Sequence, residues 1–222
     1  MNIVIANSNP IYRSIEEKCK DLFGSMVFTK KDELTTEALQ DLNPDFVFFL
    51  HWSYIIPKEI HRKFKCVVFH MTDLPFGRGG SPLQNLIIRG FKDTVISAIR
   101  VEEGIDTGPV FLKKGLQLTG SAEEIFIRAG AIMFDMIQEI IDRNLIPVPQ
   151  VGEVTLFKRR TPSESNVQFI LEKEKMYDMI RMLDADNYPK AFLETEFFKF
   201  EFSRASLKSD CVIAEVKIIP KS

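Results

Sequence analysis

The sequence predicts an α/β fold with a mostly parallel sheet flanked by helices, and three observations support this prediction. Short apolar segments alternate with segments of helical periodicity over the first two-thirds of the chain. Residues 45–50 contain an apolar run that is typical of a strand buried on both faces. Residues 122–143 carry apolar side chains at helical spacing, as in a long helix that packs on a sheet. Such a rhythm places ligands near the carboxyl ends of the strands.

The other elements of the first part follow in chain order from the same patterns. The helix after the first strand is predicted from four apolar positions at helical spacing: Ile11, Ile15, Cys19 and Leu22. Strands are predicted over 2–6 and 26–29, a helix over 32–42, and a helix over 83–89. Ser81 is the expected N-cap of this last helix, and Pro82 is suited to its first turn.

A domain boundary is predicted near residue 150. Proline residues at 147 and 149 end the long helix, and the chain then becomes polar with short alternating runs. Residues 1–150 are the expected catalytic domain, and residues 151–222 form a small α+β appendage. Within the appendage, the patterns predict a strand at 151–158, a helix at 173–183 and a hairpin of 196–202 with 211–219.

Composition excludes several classes of protein. The formal net charge of −2 argues against a protein built mainly to hold nucleic acid, which usually needs a basic face. The 3 cysteines are widely spaced with no CxxC, so we expect reduced thiols in a cytoplasmic protein and no metal site. No apolar run approaches the length needed to span a membrane, and no signal peptide is recognisable at the start.

The most informative segment runs from His70 to Gly108. His70 follows an apolar run, and Asp106-Thr107-Gly108 follows a second β-rich run. The glycines and prolines of residues 74–82 predict a loop between them. Two catalytic groups at the ends of neighbouring strands would produce this pattern.

These residues resemble the signature of the folate-dependent formyltransferases. The family pattern is Asn-x-His, then Ser-Leu-Leu-Pro, an Arg-Gly-x-x-Pro segment and a distant Asp-x-Gly. The chain reads VFH at 68–70, DLP at 73–75, RGGSP at 78–82 and DTG at 106–108. The resemblance implies a Rossmann-like formyltransferase fold and an N-formyltransferase that uses N10-formyltetrahydrofolate. The chain departs from the pattern at Val68, where the family has asparagine.

The chemistry of formyl transfer explains these residue types. The attacking amine must lose a proton, and the formyl oxygen gathers negative charge. His70 is the expected base, and Asp106 is expected to orient its ring. Val68 cannot donate a hydrogen bond to the oxygen as the family's asparagine does. Protonated His70, a backbone amide, a water molecule or Asn85 would then take that role, and His70 is favoured because it requires no new geometry.

The resemblance also implies binding residues. The flat pterin of the folate is expected to contact the loop after the buried strand and the loop before the distant motif, through Trp52, Tyr54, Ile55, Ile105 and Asp106. The alternative is that Trp52 and Tyr54 simply pack. An anionic acceptor is expected at the glycine-rich loop and the helix after it, through Arg78, Gly79, Gly80, Ser81 and Asn85. No Gly-x-Gly-x-x-Gly follows the first strand, so a nicotinamide or flavin cofactor is not expected.

The acceptor predicted from the sequence is a nucleotide-linked amino sugar. The run HMTDLPFGRGGSPLQNLI is similar to formyltransferases of bacterial pseudaminic (nonulosonic) acid pathways, which implies a UDP-linked 4-amino-4,6-dideoxy sugar. A dTDP-linked amino sugar and a non-catalytic homologue that binds folate or a sugar nucleotide are the alternatives. A tRNA acceptor is not expected, because 222 residues of net charge −2 leave little room for a large basic domain. No nucleic-acid or membrane partner is therefore predicted, and a homodimer is left open.

Overall fold

A computed structural model describes residues 1–221. In chain order the strands are β1 (Ile3–Asn7), β2 (Met26–Phe28), β3 (Phe46–His51), β4 (Cys66–His70), β5 (Arg78–Gly79), β6 (Asp93–Arg100), β7 (Val110–Gln117), β8 (Leu156–Phe157), β9 (Ala191–Glu194), β10 (Phe198–Leu207) and β11 (Val212–Pro220). The α-helices are α1 (Arg13–Phe23), α2 (Thr36–Leu42), α3 (Lys58–Lys63), α4 (Pro82–Ile88), α5 (Ala122–Asp142) and α6 (Lys173–Arg181).

The central sheet confirms the predicted α/β fold. Six strands lie in the order β2-β1-β3-β4-β6-β7. The pairs of β1 with β2, of β1 with β3, and of β3 with β4 are parallel. This order is produced by connections that return the chain to the same end of the sheet, and the helices α1, α2 and α3 lie in these connections. The carboxyl ends of β1, β3 and β4 therefore lie at one edge.

The expectation that two neighbouring strands end beside each other at the site is wrong. β6 pairs with β4 in the antiparallel direction, with His70 opposite Ser97 and Val67 opposite Arg100. The last residue of β6 thus lies away from the carboxyl end of β4. Asp106 lies in the loop that connects β6 to β7, not at a strand end. The βαβ rhythm could not show this reversal, because residues 93–100 have the same apolar character in either direction.

Contacts divide the chain into two compact units that interleave in sequence. The first contains Met1–Gly79, Thr94–Leu116 and Ile127–Leu156, and the second contains Gly80–Asp93, Gln117–Phe126 and Phe157–Ser222. The predicted division into two consecutive domains, with a boundary near residue 150, stays a prediction.

The first unit has its core on the sheet. Eight buried residues form one cluster of this core: Val4, Ala6, Leu34, Leu39, Val47, Phe49, Ile60 and Cys66. The predicted stripe of α5 is buried in this unit at Ala129, Met136, Ile137 and Ile140, and Met133 is buried as well. Ile132, also predicted, is only partly buried. α5 approaches Tyr12 so closely that a Cβ at Gly130 would lie 3.0 Å from the tyrosine ring. Burial of these side chains is the main stabilising contribution of the helix.

The second unit contains a small antiparallel sheet in the order β11-β10-β9. The predicted hairpin is present as β10 and β11, and the helix predicted at 173–183 is α6. Arg181, at the end of α6, is buried, and its guanidinium donates to Asp178 at 2.7 Å and to the carbonyls of Leu118 and Gly120 at 2.6 and 2.9 Å. These bonds satisfy a buried charge that would otherwise be costly.

Three local predictions differ from the structure. The helix expected from residue 32 begins at Thr36, because the Thr35 side chain accepts a hydrogen bond from the Ala38 amide and caps it there. The strand expected at 151–158 is reduced to β8. Ser81 does precede α4, but its side chain makes no cap hydrogen bond. Among residues 1–221 there is no helix of the length and apolarity needed to cross a membrane.

Candidate active site

His70 is the last residue of β4 and is buried. Its Nε2 lies 2.8 Å from the Gly77 carbonyl oxygen, and its Nδ1 lies 3.5 Å from Oδ2 of Asp106. Both neighbouring groups are acceptors when the carboxylate is ionised. A ring that carries both protons can donate to both oxygens, whereas a neutral ring can donate to only one. The ring therefore lies between a backbone carbonyl oxygen and a carboxylate oxygen.

Asp106 is held by its backbone conformation and by a main-chain amide. Its φ of 53° lies in the left-handed region, which aspartate and asparagine tolerate better than most residues. Its Oδ2 accepts a hydrogen bond of 2.9 Å from the Gly79 amide. The same oxygen faces His70, so the carboxylate lies between the glycine-rich loop and the ring. This arrangement brings the two predicted catalytic residues together.

The carbonyl of Gly77 is itself held in place. The Thr72 hydroxyl donates to it at 3.4 Å, and the Ser97 hydroxyl donates to the Thr72 carbonyl at 2.7 Å. Thr72 and Ser97 are fully buried. Ser97 lies opposite His70 in the sheet, so β6 supports the loop that contacts the histidine. Sequence patterns did not indicate these two residues, because a threonine in a loop and a serine in a strand are common.

Gln150 is a further residue that the sequence analysis missed. Its Nε2 donates to the carbonyls of Asp106 and Gly108, both at 2.8 Å. Its Oε1 accepts from Nε and Nη2 of Arg78 at 3.1 and 2.8 Å. A glutamine just after Pro149 looks like a linker residue in the sequence, and no local pattern reveals that its partners lie more than 40 positions earlier.

Arg78 was predicted to contact an anionic acceptor, and this role stays a prediction. Its guanidinium is half-buried and paired with Gln150, as described above. It also lines an open cleft together with Glu102, Thr107, Pro109, Pro149 and Gln150. Its neighbour Gly79 donates its amide to Asp106, so one glycine of the predicted acceptor loop contacts a predicted catalytic residue.

The residues predicted to bind folate occupy two loops. Trp52 packs on the core cluster of the first unit and makes edge contacts with Phe49 and Tyr54, at 5.9 and 5.3 Å between ring centroids. The Ser8 hydroxyl accepts from the Ser53 amide at 3.1 Å and holds this loop near the end of β1. Trp52 therefore packs against the protein, and its predicted contact with folate stays a prediction.

The remaining folate candidates are exposed apolar side chains. Tyr54 is 43% exposed, Ile55 is 90% exposed and Ile105 is 73% exposed. Apolar groups left in water are candidates for covering by a flat, partly apolar ligand. The role of each in donor binding stays a prediction.

Val68 packs at the meeting point of two apolar clusters. It contacts the cluster that contains Phe49 and Cys66, and it also contacts the cluster of Leu74, Ile99 and Val110. The site is thus packed around an apolar residue where the family has asparagine.

Val68→Asn is expected to lower the free energy of unfolding by about 1–3 kcal/mol, because it places an amide without a partner among apolar neighbours. Urea unfolding of the variant beside the wild type measures this loss. Val68→Ala is the matched control, since it removes volume without adding a polar group. A variant with higher turnover and unchanged stability would show that the position still accepts a hydrogen-bond donor.

Gly80, Ser81 and Asn85 lie in the second unit. A Cβ at Gly80 would lie 2.5 Å from the Arg159 Cβ, so only glycine fits there. The Ser81 hydroxyl accepts from the Arg160 amide at 3.1 Å. These residues therefore fix the backbone of residues 159 and 160, and their predicted contact with an acceptor is untested.

The side-chain amide of Asn85 is fully engaged within the second unit. Its Nδ2 donates to the carbonyls of Gly80, Ser81 and Lys158, each at 3.0 Å. Its Oδ1 accepts from Arg89 at 2.7 Å. An Asn85 that reaches a developing oxyanion would have to give up these bonds, so the geometry disfavours that alternative to the missing asparagine.

Cysteine chemistry does not contribute to this site. Burial raises the pKa of the Cys66 thiol to about 12, with an opposing effect from Arg100, and burial also raises the pKa of Cys19 to about 12. Both thiols are therefore protonated at neutral pH and are poor nucleophiles. Within residues 1–221, His, Cys, Asp and Glu form no group of three that could hold a metal ion.

The fold is that of formyl-transferring enzymes, and comparison with known proteins identifies the family. A family model described as "Formyl transferase" matches residues 7–124, and one described as "Methionyl-tRNA formyltransferase, C-terminal domain" matches residues 162–219. The chain belongs to the formyl transferase family. The predicted class of enzyme and its donor, N10-formyltetrahydrofolate, are confirmed at the level of this family.

Three relatives define the similarity. A solved structure of methionyl-tRNA formyltransferase from Clostridium thermocellum is 51% identical, has a TM-score of 0.97 and matches over 100% of both chains. A methionyl-tRNA formyltransferase from Thermodesulfovibrio yellowstonii is 30% identical over 68% of this chain and 52% of its own length. The formyltransferase PseJ from Anoxybacillus kamchatkensis, solved with UDP-4,6-dideoxy-4-formamido-L-AltNAc and tetrahydrofolate, is 18% identical with a TM-score of 0.56, over 71% of this chain and 86% of its own.

These comparisons correct the predicted acceptor. The nucleotide-sugar enzyme is similar in fold alone, whereas the more similar proteins carry the name of a tRNA-modifying enzyme. The prediction of a UDP- or dTDP-linked amino sugar, and of no nucleic-acid partner, is therefore wrong. The argument from length failed because residues 162–219 match a C-terminal domain of the tRNA enzymes. The chain spans about half the length of the Thermodesulfovibrio relative, 52%.

Proposed function

We propose that this protein transfers the formyl group of N10-formyltetrahydrofolate to the amine of methionyl-tRNA. The observation that carries the proposal is the buried His70 with its two ring nitrogens facing Gly77 and Asp106. In the balanced reaction, the amine nitrogen bonds to the formyl carbon and the bond from that carbon to N10 breaks. The amine loses one proton, and the leaving N10 gains one.

His70 takes the proton that the amine loses at Nε2, where the amine replaces the Gly77 carbonyl as partner, and returns it to the leaving nitrogen. Asp106 holds the ring and stabilises its charged form, and the Gly79 amide keeps the carboxylate in place. Val68 lies two residues before His70 on β4, so the two side chains point to the same face of the sheet. The charged ring of His70 then takes the place of the family's asparagine as donor to the oxyanion. A single residue thus acts as base and as electrostatic partner of the developing negative charge.

The choice of acceptor is supported by the relatives and by local charge. The structure from Clostridium thermocellum, 51% identical, carries the name methionyl-tRNA formyltransferase. In the second unit, Lys158 and Arg159 are exposed, and the hydrogen bonds of Ser81 and Asn85 fix the backbone around them. Two adjacent cations on a fixed backbone suit the phosphates of a nucleic acid. The net charge of −2 averages over the chain and hides this local patch.

The acceptor is tested by supplying N10-formyltetrahydrofolate with methionyl-tRNA and measuring formyl-methionine after mild base hydrolysis. Uncharged tRNA, free methionine and UDP- and dTDP-amino sugars serve as matched acceptors. The proposal expects formylation of methionyl-tRNA alone. Formylation of an amino sugar without formylation of methionyl-tRNA would overturn it.

The donor loop gives a spectroscopic prediction. Trp52 is the only tryptophan of the chain, and it lies next to the exposed Tyr54 and Ile55. Binding of a tetrahydrofolate analogue is expected to quench its fluorescence, because the ligand would cover this loop. Ile127→Ala, an exposed position of α5, is the control and should leave the titration unchanged. An analogue that binds by calorimetry without altering the fluorescence would refute this placement.

A further inference from the structure

We infer that Gln150 is a positioning residue that holds the Asp106 loop in its active conformation and links it to Arg78. The inference rests on the proposed function, because it assumes that the carboxylate of Asp106 acts on His70. The hydrogen bonds of the Gln150 side chain go to the carbonyls of Asp106 and Gly108 and to Arg78, not to the Asp106 carboxylate. Its effect on the reaction would therefore pass through the backbone of residues 106–108.

The loop between β6 and β7 needs such a restraint. Residues 102–105 are exposed, and Asp106 adopts a left-handed conformation that few residues favour. The loop is also tightly confined at its far end, where a Cβ at Gly108 would lie 1.7 Å from the Arg100 carbonyl oxygen. Between these points the two donors of Gln150 bind the carbonyls of Asp106 and Gly108. They span the Asp-Thr-Gly motif from both ends.

The requirement is specific for a primary amide. One side chain must present two N–H donors to two carbonyls and an acceptor to a guanidinium, and among residues of this length only glutamine does so. Arg78 determines which way the amide points, because its Nε and Nη2 both require an acceptor at Oε1. The backbone amide of Arg78 donates to the Thr155 carbonyl at 3.0 Å. The main chain of Arg78 is therefore held in place as well as its guanidinium.

Two substitutions separate the hydrogen bonds that the Gln150 amide donates from those that it accepts. Gln150→Met removes both while keeping an unbranched side chain. Gln150→Glu keeps an acceptor for Arg78 but turns a carboxylate oxygen towards the two carbonyls, which repels them. Both variants are expected to lower kcat by on the order of 10²-fold with little change in KM for N10-formyltetrahydrofolate, as for a misplacement of a catalytic group. Gln40→Met, at an exposed position of α2, is the control.

A double variant distinguishes positioning from general stability. If Gln150 acts through Asp106, adding Gln150→Met to Asp106→Asn should lower kcat less than twofold further, because the group being positioned has already lost its charge. A residue with a merely structural role would lower kcat by the same factor in both backgrounds. Equal factors, or a Gln150→Glu variant with wild-type kcat, would overturn the inference.

Hydrogen exchange tests the same inference without any acceptor. In Gln150→Met, amides of residues 101–108 are expected to exchange at least tenfold faster than in the wild type, while the amides of β4 keep their rates. Unchanged exchange in this loop would overturn the inference even in a protein that formylates methionyl-tRNA. Faster exchange in a protein that formylates no tRNA would support the restraint and count against the proposed function alone.

Discussion

Replacing His70 with alanine is expected to lower the turnover of methionyl-tRNA formylation by on the order of 10²–10⁴-fold, the usual contribution of a positioned general base. The imidazole faces both the Gly77 carbonyl and the Asp106 carboxylate in the geometry described above, and alanine removes it entirely. Single-turnover formation of formyl-methionine, with the enzyme in excess, measures the chemical step without product release.

The control for this variant is His61→Ala, which removes a partly exposed imidazole from α3. It should retain the turnover of the wild type. His70→Ala should also keep binding the tetrahydrofolate analogue, because its loss concerns proton transfer. A His70→Ala variant that binds the donor and turns over within threefold of the wild type would rule out the assigned base.

Asp106→Asn is expected to lower turnover by a similar factor, on the order of 10²–10⁴-fold. Asparagine preserves the shape and tolerates the φ of 53°, so the loop should keep its conformation. The amide oxygen can still accept from the Gly79 amide. The variant therefore removes the charge that stabilises the protonated ring, and little else.

Asp45→Asn is the matched control, since Asp45 is an exposed aspartate whose carboxylate accepts from the Asn2 amide at 2.8 Å. Circular dichroism and the melting temperature should show that both variants remain folded. If Asp106→Asn has normal turnover, a neutral side chain suffices to orient His70. The charge of Asp106 would then have no part in the mechanism.

The sequence was sufficient to predict the fold and to name His70 and Asp106, two residues that the structure brings together. Buried positions can be recognised in the apolar runs of β3 and β4 and in the apolar stripe of α5. The spacing of apolar residues in the sequence follows the repeat with which side chains point to the core. His70 and Asp106 could be named because both occur in motifs with unusual neighbours. The glycines around Arg78 indicated a loop whose amides would bind an anionic ligand, and that contact stays a prediction. The Gly79 amide donates instead to Asp106.

Other parts of the site could not be predicted because they depend on contacts between distant residues. The hydrogen-bond partners of Gln150 are Asp106, Gly108 and Arg78, which precede it by 44, 42 and 72 positions. In the sequence, Gln150 simply follows two prolines, Pro147 and Pro149. The direction of β6 was invisible for the same reason, since pairing is a property of two strands. The acceptor was misjudged because chain length and net charge are global quantities, whereas recognition of a nucleic acid depends on where a few cations lie.

Transfer of a ¹³C-labelled formyl group under single-turnover conditions tests the central claim most directly. The protein is mixed with ¹³C-N10-formyltetrahydrofolate and methionyl-tRNA, and the label is followed by mass spectrometry. The account predicts that the label appears on the methionine amine at a rate that His70→Ala and Asp106→Asn both reduce by on the order of 10²-fold or more. Release of the label as formate, or transfer that is insensitive to both substitutions, would contradict it.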